Sequence, residues 1–172
     1  ASAASSPASQ DWFRIYTNDL NGCLTCDYCE FYYGGGGAYT STLSLSGSNT
    51  VSVTHCTFAH NDGSDASGWY AVLEANWGGT GVVIQDNVFY DNVRPLSISD
   101  RVSLDDSNVF HNPANTAQEN TCNGIFVYTY YDVDSALSWG ETEVAFLIDD
   151  NQWWVDAGRT LSLANNVVLK FT

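Results

Sequence analysis

Residues 26–34 (CDYCEFYYG), 53–61 (VTHCTFAHN), 84–92 (IQDNVFYDN) and 104–112 (LDDSNVFHN) are four versions of one phrase. An apolar residue (Cys26, Val53, Ile84, Leu104) leads into polar residues, then Cys or Asn (Cys29, Cys56, Asn87, Asn108), one spacer, and Phe (Phe31, Phe58, Phe89, Phe110). The Phe residues are separated by 58−31 = 27, 89−58 = 31 and 110−89 = 21 positions. Such intervals match one coil of a parallel β-helix, in which coils of roughly 20–30 residues stack at a strand spacing of about 4.8 Å. Stacking turns aligned positions into ladders. Phe31, Phe58, Phe89 and Phe110 become an internal aromatic column, and Asn87 over Asn108 becomes an amide ladder.

The step from the apolar residue to Phe is five in the first three copies, an odd number that puts the two on opposite faces of an uninterrupted strand. A bend must intervene. Asn tolerates the left-handed backbone conformation such a bend requires, so the reading is strand, Asn bend, strand. An antiparallel Greek-key sandwich is the competing architecture, but it has no reason to repeat the same bend residue. Elsewhere the chain lacks sustained 3.6-residue periodicity, and short β-branched and aromatic runs are separated by Gly, Asn, Asp and Ser. The expectation is an all-β parallel β-helix of about seven coils, at roughly 25 residues per coil, forming one domain over residues 1–172.

Composition narrows the function. The 172 residues carry 5 Lys+Arg against 20 Asp+Glu, a formal charge of −15, and the cations Arg14, Arg94, Arg101, Arg159 and Lys170 are scattered. Such a surface repels polyphosphates and anionic membranes, so no nucleic-acid partner is expected. No apolar run approaches the roughly 20 residues of a membrane span. A charged fraction of 15% lies below the roughly 25% of ordinary domains. With the five cysteines at 23, 26, 29, 56 and 122, it points to a secreted protein of an oxidising compartment. Cys29 and Cys56 replace the bend Asn in adjacent coils, which places them in register as a candidate disulfide. Cys23, Cys26 and Cys29 spell C-x-x-C-x-x-C, but residues three apart on extended chain face opposite ways, which argues against a cluster ligand set.

Four segments, Asp11-Trp12-Phe13-Arg14-Ile15, the Tyr28 to Gly34 run, the Asn-Val-Phe steps, and the stretch from Trp153 to Phe171, resemble the right-handed parallel β-helix repeat proteins of secreted and surface-attached microbial proteins, the pectate-lyase-like superfold. Within the last, VDAGRTLSL (155–163) followed by VVLKF (167–171) looks like a phrase that usually opens such a helix, whereas here it closes the chain. Joining LKFT to ASAASSPASQDWFRI reads like uninterrupted family sequence. The resemblance implies a right-handed solenoid and says little of function, since the superfold hosts lyases, hydrolases, adhesins and structural rods.

The alternating strand Val167, Leu169, Phe171 ends in an open solenoid edge. Two structural explanations follow: the chain is one repeat of a longer tandem β-helix, or it stacks on the next copy, a heterologous contact that propagates as a filament. A final strand that folds back as a cap is the third. The expected role is an extracellular, cell-surface-associated structural subunit with itself as partner. Its interface residues are Leu161, Leu163, Val167, Leu169 and Phe171 at one end, and Trp12, Phe13, Ile15 and Tyr16 at the other. The alternative is a carbohydrate-active β-helix, a polysaccharide lyase or a module for surface glycans, with Tyr16, Tyr32, Tyr33, Tyr39, Trp69, Tyr70 and Trp77 as its aromatic candidates.

Catalysis is not expected. The acidic pairs Asp105/Asp106, Asp149/Asp150, Asp132/Asp134 and Glu141/Glu143 read as solvated turns, and Asp86, Asp91 and Arg94 are the nearest approach to a lyase group. His60 and His111, with one coil between them, sit roughly 10 Å apart, too far to share zinc. No cofactor is expected, although calcium suits acidic turns such as Asp149, Asp150 and Asn151, where hard oxygen ligands abound.

Overall fold

The computed structural model describes residues 6–17, 23–37, 41–47, 50–63, 70–149 and 153–171. The chain winds as a parallel β-solenoid. Its first coil is β1 (Ile15–Tyr16), β2 (Leu24–Asp27) and β3 (Glu30–Tyr32); its second is β4 (Leu43–Gly47), β5 (Val51–Thr54) and β6 (Thr57–Ala59). The third is β7 (Leu73–Gly78), β8 (Val82–Gln85) and β9 (Val88–Tyr90). A fourth begins with β10 (Leu96–Ser99) and is interrupted by an antiparallel hairpin, β11 (His111–Asn112) and β12 (Asn115–Glu119). The remaining strands are β13 (Gly124–Tyr128), β14 (Leu137–Trp139), β15 (Ala145–Ile148), β16 (Leu161–Leu163) and β17 (Leu169–Phe171).

One face stacks seven strands in the order β1-β4-β7-β10-β13-β15-β17, and the other two long faces stack β2-β5-β8 and β3-β6-β9. Complete turns number about five, fewer than the seven expected; the long sheet holds seven strands, while the other two long faces hold three each. Parallel in-register stacking makes side-chain columns. Ile15, Leu43, Leu73, Leu96, Ile125, Phe146 and Leu169 succeed one another, rung by rung, along the seven-stranded sheet. The five inner members are fully buried.

The aromatic column forms as expected. Phe31–Phe58, Phe58–Phe89 and Phe89–Phe110 stack at 4.7, 5.1 and 5.4 Å between ring centroids, within 15° of parallel. Stacked pairs of this kind add roughly 0.5–1.5 kcal/mol each beyond the burial of their area. The amide ladder forms too: Asn87 Nδ2 donates to Asn108 Oδ1 at 3.0 Å and to the Val53 carbonyl at 2.9 Å, while its Oδ1 accepts from the Cys56 N–H at 2.9 Å. A buried amide thus satisfies backbone groups that the corner would otherwise orphan.

The bend corrects one expectation. The left-handed residue is not the Asn but the one before it: Tyr28, His55 and Asp86 have φ of 54°, 52° and 56°. The two jobs are incompatible in one residue, since the ladder needs the amide inside while the left-handed corner residue turns its side chain outward, as the 74% exposure of Tyr28 shows. A second corner repeats the device. Tyr33, His60 and Asp91 are left-handed, and the next residues, Asn61 and Asn92, continue into a buried ladder with Asn120. Asn61 Nδ2 donates to Asn92 Oδ1 at 3.1 Å, and Asn92 Nδ2 to Asn120 Oδ1 at 2.9 Å.

Asn112, the aligned residue of the fourth phrase, is not in that ladder. The spacing from Phe to ladder Asn is 61−58 = 3 and 92−89 = 3, but 120−110 = 10, so seven extra residues are extruded as the β11–β12 hairpin. At the opposite end Gly34 closes the ladder, its N–H donating to Asn61 Oδ1 at 2.8 Å. A Cβ there would lie 2.8 Å from the Trp12 ring and from Thr42 Cγ2, so only glycine fits.

Candidate self-assembly interface

The two ends of the rod are built by the same rules as its middle and differ in what covers them. Ile15 and Leu169 end the aliphatic column, and among the described residues β1 pairs only with β4 and β17 only with β15. Ile15 is 44% exposed, although its column neighbour Leu43 is fully buried. Phe171 follows Ile148 in a neighbouring column and is 62% exposed where Ile148 is buried; Leu163 follows Trp139 and is 46% exposed where Trp139 is buried. Leu161, Val167 and Leu169 are half-buried against the core from this end.

At the other end the four expected residues divide. Trp12 folds back onto the core, its Nε1–H donating to the Tyr32 carbonyl at 2.7 Å. Phe13 lies over Gly37 and is half exposed. Tyr16, opposite Ser44 in register, stands on the outer side of the sheet with the Arg14 guanidinium 4.6 Å from its ring. Ile15 alone continues the inner column.

The backbone carries a polarity. In the long sheet each column residue donates its N–H to the residue before its partner in the next strand: Ile15 to Thr42, Leu43 to Val72, Leu73 to Pro95, and Phe146 to Val168, at 2.9–3.1 Å. Parallel strands alternate the side to which successive residues point their amides. Val168 faces β15, so Leu169 and Phe171 direct theirs away from β15.

Strands β2–β5 and β3–β6 pair in a register that sets Cys29 beside Cys56, and the five cysteines are present as free thiols. The thiols of this pair each meet the carbonyl two residues back, Cys56 Sγ that of Thr54 at 3.1 Å and Cys29 Sγ that of Asp27 at 3.6 Å. Burial pushes the Cys56 thiol up to about 11, which leaves little thiolate for exchange.

The remaining candidates scatter. Asp86 approaches His55 at 3.7 Å, Asp91 faces His60 at 3.4 Å, and Arg94 lies 5.1 Å over the Phe126 ring, so the nearest lyase group is spread over different partners. His111 pairs with Glu143 at 2.6 Å, Asp106 accepts from the Thr142 N–H at 2.8 Å, and Asp134 pairs with Arg101. Glu141 is buried, which pushes its carboxyl up to about 7, with the nearby charges of Asp106 and Glu143 adding to the rise. No cluster of three or more metal-ligating side chains occurs among the described residues, and of the calcium candidates Asp150 and Asn151 lie outside them. Tyr39 and Trp69 also lie outside.

No helix among the described residues is long and apolar enough to cross a membrane. The chain was compared with family models, curated proteins and solved structures, and none matches. The chain is a parallel β-solenoid by its own geometry.

Proposed function

We propose that the protein is an extracellular structural subunit whose copies stack head to tail into a filament. The column Ile15–Leu43–Leu73–Leu96–Ile125–Phe146–Leu169 carries the reading: it ends at each pole on an exposed or half-exposed aliphatic residue, in a strand that pairs on one side with another described strand. Continuing the rule of the long sheet, Leu169 follows onto Ile15 of the next copy. Its N–H then donates to the carbonyl of Arg14, and the N–H of Phe171 to that of Tyr16. The joint repeats an ordinary rung, so it needs no new geometry, only a second copy. Head-to-tail contacts of this kind do not close and therefore propagate.

The charge of −15 supports the same reading, because it keeps rods apart laterally while the short-range joint holds them end to end. A low content of charge with many Ser, Thr, Asn and Gly suits a secreted surface. Electron microscopy across a concentration series tests the proposal, with the double variant Leu169→Asp, Phe171→Asp as control. Thin unbranched fibres from the wild type and compact particles from the variant are expected. Compact particles from both sink the filament.

A further inference from the structure

On the flank of the rod, away from both ends, a cavity of about 250 Å³ is lined by Tyr70, Glu74, Asn76, Trp77 and Tyr128. It opens onto a larger aromatic surface. Trp77 lies 5.3 Å from Tyr128, 5.6 Å from Tyr130 and 6.5 Å from Tyr131, although β7 and β13 are separated by β10. The intervening strand ends in Ser99, opposite Tyr128, small enough for the rings to meet across it.

Trp77 and Tyr130 are 45% and 64% exposed, so this is a platform and not a core cluster. It is held firm. Tyr128 and Tyr130 are parallel within 5°, and the Tyr131 N–H donates to Asp100 Oδ2 at 3.0 Å. The Arg101 guanidinium sits 3.8 Å over the Tyr131 ring while paired with Asp134. At the floor, Glu74 and Asn76 are buried, the carboxylate accepting from Ser41 Oγ at 2.6 Å and the amide oxygen from Ser97 Oγ.

We infer that this slot binds a neutral saccharide chain. A sugar ring has an apolar face of C–H groups and an edge of hydroxyls, and the slot offers the complement of each: ring faces on the wall and an acid and an amide at the floor. The cavity is smaller than the roughly 300–1,000 Å³ of drug-sized pockets, which suits one sugar ring inside, with adjoining rings lying on Tyr130. Glu74 and the overall charge select against uronic acids. A platform fixed in advance lowers the ordering cost of binding. The slot lies on the middle coils, so it stays open whether or not copies stack, and the inference does not depend on the filament.

Fluorescence anisotropy with labelled hexasaccharides of glucose, mannose, xylose and N-acetylglucosamine, and with hexagalacturonate as the acidic control, tests it. Saturable binding of at least one neutral chain is expected, weakened at least tenfold in Trp77→Ala and in Glu74→Gln, with hexagalacturonate bound at least tenfold more weakly. Tyr130→Ala, at the most exposed ring, provides a variant whose fold is not at risk and should weaken binding severalfold. Absence of binding by every neutral chain overturns the inference, as does binding that none of the three variants changes. Quenching of Trp77 by tetramethylammonium without any saccharide binding would reassign the slot to an organic cation.

Discussion

The second corner of the middle coils and the edge at β17 belong to one stack of rungs, yet the corner has a rung on either side and the edge, among the described residues, has one on a single side. Asn92 has a ladder neighbour on either side, Asn61 and Asn120, and a backbone carbonyl of Phe58 to receive its amide. Phe171 has a neighbour, Ile148, on one side alone among the described residues. A solenoid side chain is buried by the rungs beside it more than by its own hydrophobicity. On the proposed stacking, substitution costs folding energy in the middle and association energy at the ends.

The largest effect belongs to the ladder. Asn87→Ala leaves the Cys56 N–H and the Val53 carbonyl without their partner in a buried corner, and a loss of about 3–5 kcal/mol in denaturant unfolding is expected. A loss under about 1 kcal/mol would remove the ladder from the account of stability. Phe89→Ala, with stacked rings on both sides, should cost a similar 3–5 kcal/mol or so.

The same experiment at the end sharpens the contrast. Leu169→Asp with Phe171→Asp should lower the unfolding energy of the single subunit by no more than about 2 kcal/mol, since Leu169 is half-buried, while abolishing fibres. A large fall in subunit stability would mean that the end is part of the folding core. Salt offers a milder perturbation, since the proposed joint would bring Lys170 beside Tyr16 and its stacked Arg14, on top of the repulsion between subunits of charge −15. Raising sodium chloride from about 20 to 200 mM should lower the concentration at which fibres appear, as light scattering would record.

The hairpin marks an intermediate case. Deleting residues 112–118 and replacing Glu119 by Asn restores the three-residue step from Phe110 to Asn120, and a cost below about 2 kcal/mol is expected, because the extruded strands pair mainly with each other. Unfolding of this variant would show that β11 and β12 are part of the corner.

The smallest effect is in pH. Burial raises Asp100 to about 6 and Glu141 to about 7, above their ordinary values of 3.8 and 4.5. A carboxyl whose folded value is raised favours the fold below its unfolded value, and that contribution is lost as pH climbs through the folded one. The melting temperature should thus fall between about pH 4.5 and pH 7. Glu141→Gln should flatten the upper part of that fall by a few degrees at most, a difference that calorimetry resolves.

How much of this was legible beforehand differs from residue to residue. The Phe column and the Asn87–Asn108 pair follow from aligned spacing, because identical residues one coil apart have nowhere to go but on top of one another. The second ladder was half visible: Asn61 and Asn92 each stand three residues after a Phe, but the extruded hairpin displaces the next rung to Asn120, and alignment pointed to Asn112. The left-handed positions were misplaced by one residue, because Asn is suited both to the turn and to the ladder, and only the demand for a buried amide decides between them. Among the end residues the sequence offered, the fold singles out Ile15 and Leu169 as the pair that ends one column.

The sequence by itself determined that the chain repeats at coil length, which residues stack, and that its surface is strongly acidic, since these depend on composition and on spacing along the chain. The tertiary structure alone decided which thiols are buried, which aromatic rings of β7 and β13 meet across β10, and which members of a column are exposed. Those are matters of the distance between coils, and contact between residues fifty positions apart is set by how the rungs register, which no local pattern records.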